Sequence, residues 1–126
     1  MNGRLTSMAL YLALAITPAP AFASSWVNIG QNSSGSVYDV DWDSLRRDGN
    51  LVTFTLRVKY GTPSGAGESD GYVAHRKANC SDQSYSDVQT DYMKNDALLR
   101  SSGQEETRTA SPSSIAGAVL SKVCAH

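Results

Sequence analysis

Ser111 to His126 reads S-P-S-S-I-A-G-A-V-L-S-K-V-C-A-H, and its spacing predicts a short amphipathic helix. Ser111 suits the N-cap, and Pro112 suits the first helical position, where an N–H would have had no partner anyway. Ile115, Val119 and Val123 recur every four residues with Ala116, Leu120 and Cys124 beside them, so one stripe is apolar. Ser113, Gly117, Ser121 and Lys122 are expected to face away. At about thirteen residues with a glycine in its middle, such a helix is marginal alone in water and must draw its order from packing. Its stripe ends in Cys124, and the only other cysteine in the chain is Cys80. A bond between the two would pin the helix onto whatever element carries Cys80.

That element reads as a strand. Tyr72 to Cys80 puts Tyr72, Ala74, Ala78 and Cys80 on one side against Val73, His75 and Lys77, and the small alanines leave space for a helix lying over them. Upstream, Leu51 to Tyr60 alternates most clearly, with Val52, Phe54, Leu56, Val58 and Tyr60 on one face and Thr53, Thr55, Arg57 and Lys59 on the other. A one-residue slip there would bury two cations, so its register is firmly set. Ser25 to Gln31 and Ser36 to Trp42 read as two earlier strands around the turn cluster Asn32-Ser33-Ser34-Gly35, the second with Tyr38, Val40 and Trp42 inward. Asp41 could cap about one helical turn before Asp48-Gly49-Asn50 reverses the chain. Gly61 to Gly71 is Gly- and Ser-rich and reads as a mobile loop.

After Cys80, Ser84 to Met93 alternates with Val88, Thr90 and Tyr92 as the inner set, and Lys94-Asn95-Asp96 turns the chain. Ala97 to about Gln104 reads as a last strand through Leu98 and Leu99, and Glu105 to Ala110 is polar and leads to the helix. The fold class is therefore α+β: about six antiparallel strands in one sheet, with a single C-terminal helix packed on a sheet face and held by a Cys80–Cys124 disulfide.

The N-terminus indicates where this domain works. Arg4 precedes an apolar run from Met8 to Ile16, followed by Pro18, Pro20 and the small-residue site Ala21-Phe22-Ala23. The run is too short to span a bilayer and has the layout of a signal peptide, residues 1–23, cleaved after Ala23. Residues 24–126 would then form one domain in an oxidising compartment, where two cysteines without metal-ligand spacing pair with each other. Closing that loop restricts the unfolded chain by about 4 kcal/mol on the entropy model, a sizeable share of a small domain's stability. No cysteine stands at the cleavage site to carry a lipid, so the mature chain is expected in the periplasm or secreted, not lipid-anchored and without a membrane segment. Its slight acidic excess, with both signs interspersed, argues against nucleic acid or an anionic membrane as partner.

Chemistry is sparse. Asp39, Asp41 and Asp43 in D-V-D-W-D resemble the start of a calcium loop, but Ser44 stands where the turn Gly belongs and Asn50 where the bidentate Glu belongs. Turn and capping roles explain them better. Gly65-Ala66-Gly67 has no following helix and so cannot be a dinucleotide loop. His75 is a lone strand histidine on the outer face, and no serine lies in a nucleophile-elbow sequence. Asn32-Ser33-Ser34 and Asn79-Cys80-Ser81 fit the short glycosylation pattern. The residues assign no catalytic group, no metal ligand and no cofactor, and they leave the ligand-binding surface and the oligomeric state open.

Taken in order, Trp26, the Y-x-V-D of Tyr38 to Asp41, the S-L-R-R-D-G of Ser44 to Gly49, Cys80, and the P-S-S helix ending in V-C (Pro112 to Cys124) resemble the surface-adhesin protein E family of Gram-negative bacteria. The resemblance spans nearly all of the mature chain. It implies a curved six-stranded antiparallel sheet with a disulfide-held C-terminal helix, and adhesion to host matrix and serum proteins from the outer membrane. Only the two structural cysteines carry over as residues. The function expected is thus a non-enzymatic exported module that binds an envelope or host protein. A periplasmic structural, accessory or envelope-stress protein is the alternative, and a hydrolase using His75 comes after both.

Overall fold

The computed structural model describes residues 24–62 and 68–126. The expected signal segment, and the centre of the loop expected between Gly61 and Gly71, lie outside the described residues. Six strands follow one another: β1 (Trp26–Gln31), β2 (Val37–Asp48), β3 (Leu51–Lys59), β4 (Gly71–Asn79), β5 (Ser84–Lys94) and β6 (Ala97–Ser102). Each pairs antiparallel with its neighbours in chain order, so the sheet is a simple meander. A two-residue strand, β7 (Arg108–Thr109), then pairs with the start of β5, and the helix α1 (Ile115–Cys124) ends the chain.

The alternation in β3 carries the core. Val52, Phe54, Leu56 and Val58 are buried on one face, Val40 from β2 and Ala74 and Ala78 from β4 lie beside them, and Val119, Leu120 and Val123 of α1 close over the top. Fully burying a side chain of this size stabilises by about 1.5–3 kcal/mol, which makes this cluster the main source of stability. Ten residues of helix span roughly 15 Å, enough to cover only part of one sheet face. Cys80, just past β4, and Cys124, the last helical residue, are disulfide-bonded with their Cα atoms 5.8 Å apart. The tie and the α+β arrangement agree with the sequence reading.

Five local expectations are corrected. The N-cap of α1 is Ser114, not Ser111: its hydroxyl accepts from the Gly117 N–H at 3.1 Å and donates to the Ser111 carbonyl at 2.6 Å, so residues 111–114 form a turn leading into the helix. That turn packs on Gly117, which is buried instead of facing away. The one-turn helix expected after Asp41 is absent, because β2 runs on to Asp48 through an irregularity in which Trp42 to Leu45 face only Phe54 between the paired positions Asp41–Thr55 and Arg46–Thr53. Ser44 fills the gap: its hydroxyl donates to the Asp41 carbonyl at 2.6 Å and accepts from the Thr55 N–H at 2.8 Å. On β5, Val88 is exposed because it is the extra residue of a bulge lying between the Arg76–Asp87 and His75–Gln89 pairs.

The last correction concerns the chain after β5. Asn95 and Asp96 both have positive φ, 49° and 64°, the primed turn geometry that matches strand twist and joins β5 tightly to β6. β6 stops at Ser102 and its Leu98 and Leu99 are 60% and 42% exposed, so it is a short edge strand, and it is not the last strand of the chain. The polar stretch beyond it crosses back: the Glu105 N–H donates to the Asp87 carbonyl at 2.9 Å, and Arg108 and Thr109 pair with Tyr85 and Ser84. β5 is thus flanked at its two ends by two different strands.

Candidate functional site

Of the six tyrosines in the chain, five lie among the described residues, and all five converge on the helix-bearing face of the sheet. Tyr38, Tyr72 and Tyr92 sit at inward positions of β2, β4 and β5, Tyr60 follows β3, and Tyr85 faces inward at the start of β5. They line a cavity of about 340 Å³ that opens beside Ile115 and Ala116, where α1 begins and the helix no longer covers the sheet. The rings neighbour one another across strands: Tyr60 and Tyr72 have centroids 6.0 Å apart at 58°, Tyr72 and Tyr92 6.1 Å apart at 55°. Tilted aromatic pairs at this range are favourable, which holds the rings in place.

The floor of the cavity is an ion pair. Arg76, between Ala74 and Ala78 on the inward face of β4, meets Asp87 of β5 through Nε at 2.7 Å and Nη2 at 3.1 Å. Both are 7% exposed. The Val88 bulge makes the meeting possible, since it shifts the alternation of β5 by one residue and turns Asp87 inward. The guanidinium also lies 4.3 Å from the centre of the Tyr85 ring. Burial alone would lower the pKa of Arg76, but the hydrogen bonds and charge of Asp87 outweigh it and raise the value, so the guanidinium keeps its charge.

Around this floor the groups are polar but uncharged. Burial pushes the Tyr72 phenol well above its ordinary range, and burial followed by the neighbouring Tyr92 raises Tyr60, with a hydrogen bond to Ser69 acting the other way. Asn32 donates to the Tyr38 hydroxyl at 3.4 Å. Thr90, 3% exposed, reaches the cavity wall with a buried hydroxyl that has no hydrogen-bond partner among the described residues. At the rim, Arg108 and Glu105 pair at 3.7 Å, and Arg100 stacks 4.4 Å over Tyr92.

The residues singled out from the sequence lie elsewhere. Cys80 and Cys124 are joined and sit at the opposite end of the helix from the cavity. His75 is on the outer face, half exposed, with Nε2 3.7 Å from Asp91. That carboxylate also accepts from Gln89 and Ser101, which together with His75 hold its pKa below the usual range. Asp39 pairs with Arg57 at 3.0 Å, while Asp41 accepts the N–H groups of Ser25 and Asp43, so the acidic run serves strand pairing and a turn. The side chains of Asn32 and Asn79 each close a local turn through Ser34, Ser36 and Ser81. The Gly65–Gly67 stretch lies outside the described residues. Sequence reading placed Tyr38, Tyr60, Tyr72 and Tyr92 inward but missed that they meet; four tyrosines in the inner register of four consecutive strands was the available signal.

No helix of the described residues is long and apolar enough to cross a membrane. Among protein families, the model described as Surface-adhesin protein E matches residues 26–125. No curated protein and no solved structure matches the chain significantly.

Proposed function

The chain belongs to the surface-adhesin protein E family, and from that premise we propose that it is an exported, non-enzymatic binding module whose ligand seats in the tyrosine-lined cavity beside the start of α1. The observation that carries the reading is the gathering of all five mature tyrosines around the buried Arg76–Asp87 pair, on the part of the inner face that the helix leaves bare. A stability core would place Leu, Ile or Val there. Tyrosine instead offers large, rigid contact area with a polar tip and loses little conformational freedom on binding, which is why it dominates recognition surfaces. The chemistry of the site also favours binding over turnover: it presents phenols and two ion pairs, and among the described residues lining it no nucleophile is held by a base.

Export rests on the signal-like residues 1–23, and the mature form is proposed to begin at Ser24 without lipid. The test of function is capture from envelope or host extracts by the mature chain, set against a variant carrying Tyr60→Ser and Tyr92→Ser. A partner held by the wild type and lost by the variant supports the cavity as the binding site; equal capture by both sinks it. Protease added to intact cells then separates the locations, since complete protection of the protein points to a periplasmic partner instead of a surface one.

A further inference from the structure

The charged groups that line the cavity are already matched, and Arg100 stands outside that lining with its guanidinium stacked on Tyr92. Arg76 is engaged by Asp87 through two nitrogens, and Arg108 at the rim by Glu105. An anionic or cationic ligand seated on the cavity floor would have to break the buried Arg76–Asp87 pair, and leaving one buried charge uncompensated is costly. What the wall does offer is hydroxyl groups that both donate and accept, on phenols and on Thr90, beside the faces of aromatic rings. Thr90 in particular holds a buried hydroxyl with no partner among the described residues, a group whose desolvation is unrepaid until something hydrogen-bonds to it. The sheet's own backbone groups are tied up in the strand ladders on either side, so a peptide main chain would find few partners on this face.

From these features we infer that the cavity binds a neutral sugar ring, one or two pyranose units of a glycan carried by the partner. The inference rests on the binding reading above. A pyranose has apolar C–H faces to lay on Tyr72 and Tyr92, equatorial hydroxyls that exchange hydrogen bonds with phenols and Thr90, and no charge to disturb Arg76. A cavity of about 340 Å³ accommodates one to two such rings. With about twelve heavy atoms per ring and a modest yield per atom, a single sugar should bind with a Kd of about 1 mM.

The test is backbone NMR titration of the mature chain with neutral sugars (glucose, galactose, N-acetylglucosamine, lactose, maltose), with N-acetylneuraminic acid, glucosamine and a proline-rich peptide as contrasts. Expected are saturable shifts at Tyr72, Arg76, Thr90 and Tyr92 for at least one neutral sugar, at least about tenfold weaker in Tyr92→Ser. Thr90→Val, close in shape, should weaken binding without unfolding the sheet, which the spectrum itself reports. No shift with any neutral sugar up to about fifty times the expected Kd, or tighter binding of the acidic or cationic sugar or the peptide, overturns the inference. The two readings fail separately: if partner capture is lost in the tyrosine variant yet unaffected by excess neutral sugar, the binding site stands and the saccharide does not.

Discussion

The carbonyl of Ser111 occupies the space a Cβ would take on Gly117. The turn at 111–114 is therefore seated directly on the helix it introduces, and glycine is the only residue that lets it close.

Gly117→Ala should consequently destabilise the domain by about 1–3 kcal/mol, as overpacking does. An exposed helical glycine would respond in the opposite sense, gaining about 1 kcal/mol from the added methyl. A urea titration of the variant distinguishes the two by sign alone.

The two serines at the head of α1 should also differ. Ser114→Ala removes the acceptor for the Gly117 N–H and should cost about 1 kcal/mol, whereas Ser111→Ala, whose hydroxyl touches only Ser113, should cost a few tenths at most. Equal losses in thermal melts would return the cap to Ser111.

Sequence patterning shows the strands and the staple because both depend on local regularities: β3 alternates without interruption, and two cysteines in an exported chain have one choice of partner. It fails where non-local geometry decides. Ser111 and Ser114 are equally good caps in isolation, and only the docking of Ser111 against Gly117 selects the second. Arg76 occupies an inward position between two alanines, but its burial becomes intelligible only with Asp87 opposite, and Asp87 faces inward only because Val88 bulges. β7 is two residues long and polar, with no pattern of its own. The cavity required several of these at once, since its tyrosines come from β2, β4, β5 and the residue after β3, and its rim comes from the approach to β7.

Breaking the buried ion pair tests the floor of the cavity. Arg76→Met or Asp87→Leu alone should cost about 3–5 kcal/mol by stranding the other charge, while the double replacement should recover much of that loss. A double cycle by chemical denaturation measures the coupling, and additive single effects would show that the pair contributes nothing as a pair.

The disulfide prediction follows from topology. Cys80→Ser and Cys124→Ser should each destabilise by about 2–4 kcal/mol, and the double variant by no more than either, because one bond is lost in every case. Circular dichroism should keep most of its sheet signal while the helix loosens.

Alkaline stability reads out the tyrosines. The Tyr72 phenol is raised from its ordinary value of 10.0, chiefly by burial. The unfolded chain therefore gives up this proton at a lower pH than the folded one. The contribution of Tyr72 to stability is fully present below about pH 10 and declines as pH rises further toward its folded pKa. Urea midpoints measured from neutral to strongly alkaline pH should fall above about 10, and Tyr72→Phe should flatten that fall. An unchanged slope in the variant would mean that the phenol is not sheltered.

The covalent ring from Cys80 to Cys124 encloses 44 residues of separation and takes in β5, β6, β7 and α1, leaving β1 to β4 outside it. For a chain pulled between Ser24 and Cys124, tension passes through the sulfur bridge directly into the end of β4, and the ring feels no load along its contour. Only the first four strands can pay out under force. The bridge thereby shortens the reachable length of the stretched protein by about 150 Å at roughly 3.5 Å per residue, and it confines mechanical rupture to the strands N-terminal to Cys80. Tyr85, Asp87, Thr90 and Tyr92 stay within the shielded loop, so one side of the cavity bears no direct load while Tyr38, Tyr60, Tyr72 and Arg76 are the part that force can draw away.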